Sequence, residues 1–301
     1  MVGQPLVSVI ALCYNHAQFL EEALSSIAQQ TYSAIEVILV DDASTDASVN
    51  LAKRYLEKNP FTYPIKTLFL SENAGNCTAF NRGLALASGK YIIDFATDDS
   101  MLPQRIEQQV AYFESLSNDY GVVFTEAEYV DEGGRHLWYH YQDRLKHVRP
   151  IPVGDVYADV LAQYFISAPT MMIRKQVLDE LGGYDEQLAY EDFDFWVRSA
   201  RTWKYAYLDI CTTQVRKHVD SMSAQQYHPG DPKLHSTYLV CRKALKMTET
   251  TQECRSLLMR ILFELKPAIF KKHWKTAYLF SILLFNTIQN MITKPKTLST
   301  H

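Results

Sequence analysis

The sequence YIIDFATDDSMLP runs from Tyr91 to Pro103 and joins an apolar stretch to two adjacent carboxylates. Asp98 and Asp99 follow the apolar run directly, and Pro103 suits the first turn of a helix behind them. Acidic side chains at the end of a buried strand are costly unless a cation neutralises them. A divalent metal carrying a diphosphate is one such cation. A solvated turn or a helix cap is the alternative that this pair alone leaves open.

The composition is that of a folded, nearly neutral protein. The chain has 301 residues, of which 47% are hydrophobic, so we expect a sizeable core. The net charge of −4 gives no general electrostatic reason to bind nucleic acid. Five cysteines without a CxxC spacing argue against a disulfide framework or a zinc site and fit a reducing, cytoplasmic compartment. The opening residues predict a first strand and not a signal peptide, and no stretch reaches the roughly eighteen apolar residues of a membrane span.

Apolar strands alternate with helical spacing over the first 125 residues. This alternation, with nearly continuous apolar strands, predicts a parallel sheet covered by helices on both faces. We predict strands at 6–12, 35–40, 65–70, 91–95 and 121–124, and helices at 17–30, 46–58, 75–87 and 103–115.

The pattern changes after residue 125. Segments 126–131 and 135–139 predict a hairpin, and 136–147 is typical of a mobile loop. The aromatic and basic stretch 138–149 is expected to border an acceptor or to form a surface loop. Further along we predict strands at 171–174 and within 204–216, helices at 177–181 and 191–200, and helical structure from 229 to about 292. These patterns predict one α/β domain over 1–228, whose pattern changes between the halves 1–125 and 126–228, and a helical C-terminal extension over 229–301.

Polar side chains follow three of the predicted strands at their carboxyl ends, where open parallel sheets bind ligands. They are Tyr14 and Asn15 after the first strand, Asp41 and Asp42 after the second, and Asp98 and Asp99 after the fourth. Asp42 can accept hydrogen bonds from a base or a ribose. Capping of the next helix is the alternative, although Ser44 and Asp46 are better placed as caps.

The segment NAGNCTAFNRGLALASGKY adds Asn73, Asn81 and Arg82 beside small residues. A helix that starts with small residues can approach a phosphate or a sugar closely. Close packing of helix on sheet is the alternative reason for Gly83. The sequence has no G-x-G-x-x-G and no P-loop motif, so it supports neither a dinucleotide fold nor a P-loop enzyme.

A second carboxylate cluster lies in GGYDEQLAYEDFDFW, where Glu191 and Asp192 open a predicted helix. Acids at a helix start are favoured by the helix dipole, so capping is one reading. The functional reading is a general base, with Asp192 directed at the cleft while the neighbouring aromatic residues pack inward. A third cluster contains Arg216, His218 and Ser223. A basic group there could meet a metal or a diphosphate, although a single histidine is more often structural.

Together these residues resemble a family-2 glycosyltransferase with the GT-A fold. The matching motifs are VSVIALCYN, IEVILVDDASTD, NAGNCTAFNRGLALASGKYIIDFATDD and GGYDEQLAYEDFDFW, which cover about residues 5–225 in the order and spacing of the family. The resemblance implies an α/β fold with a Rossmann-like, mostly parallel central sheet flanked by helices. It also implies transfer of a sugar from a nucleotide-diphosphate donor, with UDP the commonest nucleotide, to an acceptor hydroxyl. The expected acceptor is a carbohydrate or a lipid-linked saccharide in polysaccharide or glycolipid assembly.

The resemblance assigns roles to single residues. Asp192, paired with Glu191, is the expected catalytic base, and one base with one metal implies inversion. Asp98 and Asp99 stand at the motif for Mn²⁺ or Mg²⁺, with Asp99 the expected direct ligand. The expected donor contacts are Tyr14, Asn15, Asp42, Asn73, Asn81, Arg82 and Asp98, and His218 is a further candidate metal ligand. Because Ala96 replaces the first acid of the family's Asp-x-Asp-Asp motif, the division of metal and ribose between the two remaining acids stays open.

Two other functions and two roles for the C-terminal helices remain open. A metal-dependent nucleotidyltransferase usually has a Gly-rich basic loop after its first strand, and ALCYNHAQF is not such a loop. An inactive nucleotide-sugar binding module is disfavoured by the intact acids. Segments 257–270 and 274–292, beside several lysines, suit an interfacial helix on the cytoplasmic face of a membrane. Packing on the catalytic domain or on a second subunit is the alternative.

Overall fold

The computed structural model describes residues 3–59, 61–148, 150–219, 221 and 232–293. Its strands are β1 Val7–Cys13, β2 Ile35–Asp41, β3 Ile65–Phe69, β4 Tyr91–Ala96, β5 Ser100–Met101, β6 Tyr120–Val130, β7 His136–Tyr139, β8 Met172–Arg174 and β9 Lys204–Arg216. Its α-helices are α1 Leu20–Ala28, α2 Ser48–Lys58, α3 Asn76–Leu84, α4 Arg105–Ser115, α5 Tyr157–Ala162, α6 Lys175–Leu181, α7 Asp192–Ser199, α8 Lys233–Met247, α9 Thr251–Phe270 and α10 Trp274–Thr293.

The described strands form a single mixed sheet in the order β3-β2-β1-β4-β8-β6-β9-β5, with β7 paired to β6. Strand β1 pairs in parallel with β2 and β4, and β2 pairs in parallel with β3. Every residue of β1 and β2 is buried, as the continuous apolar runs predicted. The predicted α/β fold, with a mostly parallel central sheet flanked by helices, is confirmed.

The place of the predicted strand 171–174 within the sheet, and its antiparallel direction, were not foreseen. Strand β8 lies between β4 and β6 and is antiparallel to both. The predicted strand 121–124 and hairpin strand 126–131 are the single strand β6, whose register against β9 shifts around Glu126. The Glu126 carboxylate is buried and accepts backbone N–H groups of Tyr141 and Gln142. Because its carboxylate accepts these hydrogen bonds, Glu126 can lie inside a buried strand. The sequence pattern had placed the end of the strand before it.

Two further local predictions were corrected. The helix expected from Pro103 begins at Arg105, because β5 first pairs with β9. The segment 136–147 is not a loop without structure, because β7 leads into a π-helical turn at His140–Arg144. The hydrogen bonds of the Glu126 carboxylate hold that turn. A short helix, α5, was not foreseen.

Helices α8 to α10 pack on the same hydrophobic core as the sheet. That core includes Leu257 and Phe280 of these helices together with Phe193 of α7. The Lys243 ammonium of α8 lies 2.6 Å from the buried Asp194 carboxylate of α7. The predicted boundary at 228/229 lies outside the described residues, and the division into domains stays a prediction. Within the described residues, no helix is both long and apolar enough to cross a membrane.

Candidate active site

The loop after β1 is tied to the loop after β2. Tyr14 is 44% exposed at this rim. Asn15 has a φ of 58°, a left-handed conformation that Asn tolerates better than most residues. Its side-chain oxygen accepts the N–H of Thr45 at 2.8 Å and that of Asp46 at 3.3 Å. Asn15 therefore shapes the rim on which Tyr14 stands, in addition to its predicted donor contact.

Asp42 organises the start of α3. Its Oδ1 accepts the N–H of Ala74 at 2.7 Å, and its Oδ2 accepts the N–H of Gly75 at 2.9 Å. The exposed Asn73 donates its Nδ2 to the Asp42 carbonyl at 3.3 Å. The φ of 84° at Gly75 lets the chain turn into α3 at this point. Asp42 and Asn73 thus lie at the carboxyl ends of the strands, where their predicted donor contacts require them.

Asn81 and Arg82 lie farther along α3. Both polar groups of the Asn81 amide form hydrogen bonds with the backbone of Tyr184, which lies between α6 and α7. Its Nδ2 donates to the Tyr184 carbonyl at 2.9 Å, and its Oδ1 accepts the Tyr184 N–H at 2.9 Å. Arg82 is exposed on the same helix. The structure gives Asn81 a role in joining α3 to the segment before α7, and donor contact by either residue remains a prediction.

Asp98 and Asp99 lie where β4 meets the end of β9. Asp99 Oδ1 accepts the backbone N–H of Arg216 at 2.8 Å. Asp98 Oδ2 lies 3.0 Å from Nε2 of His218. Asp98 Oδ1 is buried and has no hydrogen-bond partner among the residues that the structure describes. The pair and His218, distant in sequence, therefore form one cluster, while Ser223 of the predicted third cluster lies outside the described residues.

The pKa values of the two adjacent carboxyls are shifted in opposite directions. Burial raises the pKa of Asp99 well above its ordinary value, and the charge of Asp98 adds to that rise. Burial also opposes ionisation of Asp98, but the His218 hydrogen bond and the nearby imidazoles outweigh it, so the pKa of Asp98 is lowered. Two adjacent buried acids cannot easily both be charged without a cation.

His16 belongs to this cluster and was missed in the sequence. Its Nδ1 lies 2.9 Å from Thr97 Oγ1, and its Nε2 lies 3.9 Å from Asp98 Oδ2. Burial lowers the pKa of His16, although the charge of Asp98 opposes that effect. Its position directly after Tyr14 and Asn15, at the end of β1, was the available signal.

The cluster fits a divalent cation that takes part of its coordination from the substrate. No group of three or more His, Cys, Asp or Glu side chains with metal-binding geometry occurs among the described residues. Magnesium is commonly held by one or two carboxylates together with substrate phosphates and water. The buried Asp98 Oδ1, which lacks a partner in the described part of the chain, is a donor atom suited to that role.

A second acid cluster lies at the start of α7. Asp192 is the first residue of α7, and the buried Phe193 and Phe195 anchor the helix. Glu191 Oε2 accepts Nδ2 of Asn76, from the start of α3, at 2.6 Å. Helices α3 and α7 are thereby joined at the cluster that the sequence predicted as the base.

Asp94 of β4 is a third member of this cluster, which the sequence analysis did not identify. Its Oδ2 accepts the hydroxyl of Tyr184 at 3.1 Å. Burial, then the charge of Glu191, raises the pKa of Asp94 well above its ordinary value. Burial, then Glu191 and Asp94, does the same for Asp192. An acid inside an otherwise apolar strand, in YIIDFA, was the signal that could have been read.

The charges of both acid clusters act on one buried aromatic side chain, Tyr129. Burial raises the pKa of Tyr129, and the charges of Asp99 and Asp192 both add to that rise. Tyr129 belongs to β6 and stacks on Trp138 of β7 at a ring-centroid distance of 5.3 Å. Hydrogen bonds connect the start of α7 to the carboxyl end of β2, because Glu191 accepts Asn76 directly after Gly75, whose N–H Asp42 accepts. Asp98 and Asp99 follow β4, two strands away in the same sheet.

Comparison with known proteins identifies the family. Residues 8–182 match the family described as glycosyl transferase family 2. That stretch is more than half of the chain. The chain belongs to glycosyl transferase family 2. The resemblance seen in the sequence motifs is thereby confirmed for this family-2 glycosyltransferase.

Similar proteins include uncharacterised glycosyltransferases of bacteria. One of Rickettsia prowazekii is 31% identical over 66% of this chain and 60% of its own length. One of Rickettsia typhi is 30% identical over 65% of this chain and 59% of its own length. One of Haemophilus influenzae is 30% identical over 76% of this chain and 70% of its own length. The chain thus spans about three fifths of the length of the two Rickettsia relatives.

Two solved structures share the GT-A fold with this family-2 glycosyltransferase. Residues 1–349 of S. aureus TarS, in complex with UDP-GlcNAc, are 18% identical, with a TM-score of 0.69 over 95% of this chain and 81% of that one. The mannosyltransferase PcManGT of Pyrobaculum calidifontis, in complex with GDP-Man and Mn²⁺, is 19% identical, with a TM-score of 0.56 over 96% of this chain and 74% of that one.

Proposed function

We propose that this family-2 glycosyltransferase transfers a sugar with inversion from a nucleotide-diphosphate donor to an acceptor hydroxyl, with help from a divalent metal. The observation that carries this proposal is the place of both acid pairs at the carboxyl ends of the parallel strands. Asp98 and Asp99 follow β4, and Glu191 accepts Asn76 Nδ2 directly after the Gly75 N–H that Asp42 accepts behind β2. We propose a UDP-sugar as donor, since the TarS complex is named for UDP-GlcNAc, although the PcManGT complex is named for GDP-Man.

Asp98 and Asp99 would hold Mn²⁺ or Mg²⁺ at the donor diphosphate. When bound, the ion acts as a Lewis acid and neutralises the leaving group. His218 keeps Asp98 ionised and oriented through its hydrogen bond of 3.0 Å. Tyr14 is exposed enough to lie against the nucleobase of the donor. Asp42 holds the loop before α3 through the N–H of Ala74.

Asp192 would act as the general base. The acceptor oxygen forms a bond to the anomeric carbon while its proton passes to the Asp192 carboxylate. The bond from the anomeric carbon to the diphosphate oxygen breaks, and the nucleoside diphosphate leaves with that electron pair. One displacement of this kind inverts the configuration at the anomeric carbon. A general base contributes roughly 10²- to 10⁴-fold to rate.

The proposed acceptor is a carbohydrate or a lipid-linked saccharide in polysaccharide or glycolipid assembly. The aromatic residues Trp138 and Tyr139 of β7 lie near Tyr129, and aromatic faces suit sugar rings. The five free cysteines support activity in the reducing cytoplasm. A nucleotidyltransferase and an inactive binding module are both disfavoured, the first by the family match and the second by the intact carboxylates.

A thermal-shift screen of nucleotide sugars tests the donor and the metal together. A ligand that binds only the folded protein raises its melting temperature in proportion to the logarithm of its concentration over Kd. We expect a UDP-sugar with Mn²⁺ to raise the melting temperature of the wild-type protein more than either alone. Asp98→Asn should remove the part that depends on Mn²⁺.

Asp179→Asn is a matched control, because Asp179 is an exposed carboxylate that pairs with Lys175 on α6. It should keep the full Mn²⁺ effect. An equal shift with and without Mn²⁺ in the wild-type protein, or turnover that survives strong chelation, would contradict the metal assignment. A screen in which no nucleotide sugar shifts the melting temperature would contradict the proposed function as a whole.

Asp94→Asn should move the acidic limb of the pH–rate profile. Asp192 must be deprotonated to act as base, so kcat/KM falls as the pH drops through its pKa. The negative charge of Asp94 contributes to the raised pKa of Asp192. Removal of that charge lowers the pKa of Asp192, and the acidic limb of kcat/KM should therefore shift to lower pH. If the acidic limb of Asp94→Asn coincides with that of the Asp179→Asn control, the charge of Asp94 does not raise the pKa of Asp192 and this prediction is wrong.

A further inference from the structure

Helices α9 and α10 carry most of the large apolar side chains that the described residues expose. Eleven of the sixteen such side chains lie on these two helices, each at least 42% exposed. Exposed apolar patches of this size and continuity mark sites that contact another apolar surface. The proposed sugar-transfer chemistry makes no use of this patch.

The exposed large apolar side chains of α10 form one stripe. They are Trp274, Tyr278, Ile282, Phe285, Ile288 and Ile292. Steps of three and four residues place them along one face of the helix. Ala277, Phe280 and Leu283 form a second, buried stripe that packs on the core. The helix is therefore apolar on two faces, and the fold uses only the inner one.

Helix α9 presents a matching outer stripe. Met259, Phe263 and Phe270 are each at least 60% exposed. Leu257 and Ile261 of the same helix are buried in the core. Helices α9 and α10 pack directly against each other. We name the exposed stripes of the two helices the C-terminal face.

The C-terminal face is basic as well as apolar. After Glu264, the sequence contains six lysines and no acidic residue. Glu264 itself is fully buried. Of the six lysines, four are exposed in the described residues, and they are Lys266, Lys271, Lys272 and Lys275. They flank the junction between α9 and α10, where Phe270 and Trp274 are also exposed.

We propose that the C-terminal face binds an anionic membrane surface, with α9 and α10 lying along it. Exposed Trp and Tyr rings suit the boundary between headgroups and acyl chains, and lysines beside them attract anionic lipids. Each lysine near such a surface contributes on its own, so four act together. Neither helix is long and apolar enough to cross the bilayer, which is consistent with lying on it.

A second copy of the chain is a poorer occupant for this face. In a symmetric dimer the same patch of each copy meets its counterpart, so the lysines of one copy would approach those of the other. The stretch from Leu265 onward offers no carboxylate to neutralise them. Anionic headgroups supply that charge. The charge of the face thus favours lipid over self-association.

Vesicle flotation of the full chain tests the proposal. We expect the wild-type protein to float with vesicles of phosphatidylcholine mixed with phosphatidylglycerol, and to bind phosphatidylcholine alone far less. Trp274→Ser combined with Tyr278→Ser should lower the partition coefficient by about tenfold or more, because two large apolar side chains no longer enter the interface. Both residues are more than 60% exposed, so the fold should tolerate the change.

Charge and apolar contributions are separated by further variants. Lys271→Gln, Lys272→Gln and Lys275→Gln together should lower binding to the anionic vesicles by on the order of tenfold to a hundredfold. Val153→Ser is the matched control, since Val153 is 54% exposed and lies outside α9 and α10, so this variant should bind as the wild-type protein does.

Three results would overturn the proposal. The first is a wild-type chain that floats with neither kind of vesicle. The second is equal binding to neutral and anionic vesicles. The third is light scattering that shows a dimer which the Trp274→Ser and Tyr278→Ser changes convert to monomers, since a second copy would then cover the face. None of these results bears on sugar transfer, which is measured separately.

Discussion

Replacement of Asp192 by Asn should lower kcat for sugar transfer by roughly 10³-fold, within the range of a lost general base. The amide keeps the shape of the side chain but cannot accept the acceptor's proton. In the proposed mechanism donor binding depends on the cluster at Asp98 and Asp99, so the donor Kd should change little. The measurement is a turnover assay with the donor from the thermal-shift screen, together with the donor-induced shift itself.

The change should not harm folding. Asp192 lies with Glu191 and Asp94 in a cluster of like charges, and removal of one charge relieves repulsion. The melting temperature of Asp192→Asn should therefore equal or exceed that of the wild-type protein. Asp179→Asn, on the exposed face of α6, is the control with full activity expected. Full turnover in Asp192→Asn would disprove the base assignment.

Glu191→Gln distinguishes the two members of the pair. Glu191 accepts a hydrogen bond from Asn76 and neighbours Asp192, so in the proposed mechanism it positions the base and Asp192 receives the proton. A glutamine oxygen can still accept from Asn76. We expect a loss of kcat well below that of Asp192→Asn. A larger loss of kcat in Glu191→Gln than in Asp192→Asn would make Glu191 the base and Asp192 the residue that positions it.

Arg260→Met should lower the free energy of unfolding by about 3–5 kcal/mol, the usual cost of breaking a buried ion pair from one side. Arg260 and Glu264 are 1% and 0% exposed on α9, with Nη1 and Oε1 3.2 Å apart. The Arg260 guanidinium also donates to the Leu161 carbonyl and lies 3.6 Å from the centre of the Tyr164 ring. Its loss leaves the Glu264 carboxylate without this cation in the core.

A double variant shows whether charge or packing is responsible. Arg260→Met with Glu264→Met removes both charges and should regain most of the lost free energy of unfolding, because apolar replacements of buried pairs are often near neutral. Arg255→Met, on the exposed side of α9, should change stability by less than about 0.5 kcal/mol. Chemical denaturation of the three variants is the measurement. Equal stability of the single and double variants would show that the loss is one of packing.

The position of Arg260 also bears on how the C-terminal helices should be studied. Its guanidinium lies 5.1 Å from the centre of the Phe193 ring, and Phe193 follows Asp192. Lys243 of α8 contacts Asp194, which lies on α7 together with Phe193. Truncation before α8 would therefore expose the core beside the catalytic helix, and point variants on exposed residues are the sounder test of the C-terminal face.

Much of the candidate site could be predicted from the sequence. Strands with continuous apolar residues end shortly before Asp42 and Asp98, and the carboxyl ends of parallel strands lie on one edge. That rule placed both groups on one rim. The helix start at Asp192 followed from acids before an aromatic run. His16 and Asp94 each had a local signal, but only the fold brings them to Asp98 and to Glu191, where that signal acquires a meaning.

The sequence by itself determined the alternation of strands and helices, the family and the two acid motifs, because periodicity and turn residues are local properties of the backbone. Only the tertiary structure placed β8 between β4 and β6, since pairing direction leaves no mark on apolar content. Only the tertiary structure brought Asp94 close to Glu191, which lies 97 residues farther along the chain. The tertiary structure also decided the pKa shifts of Asp98 and Asp99. Burial and the neighbouring His16, Arg216 and His218 cause these shifts, and all three neighbours are distant in sequence.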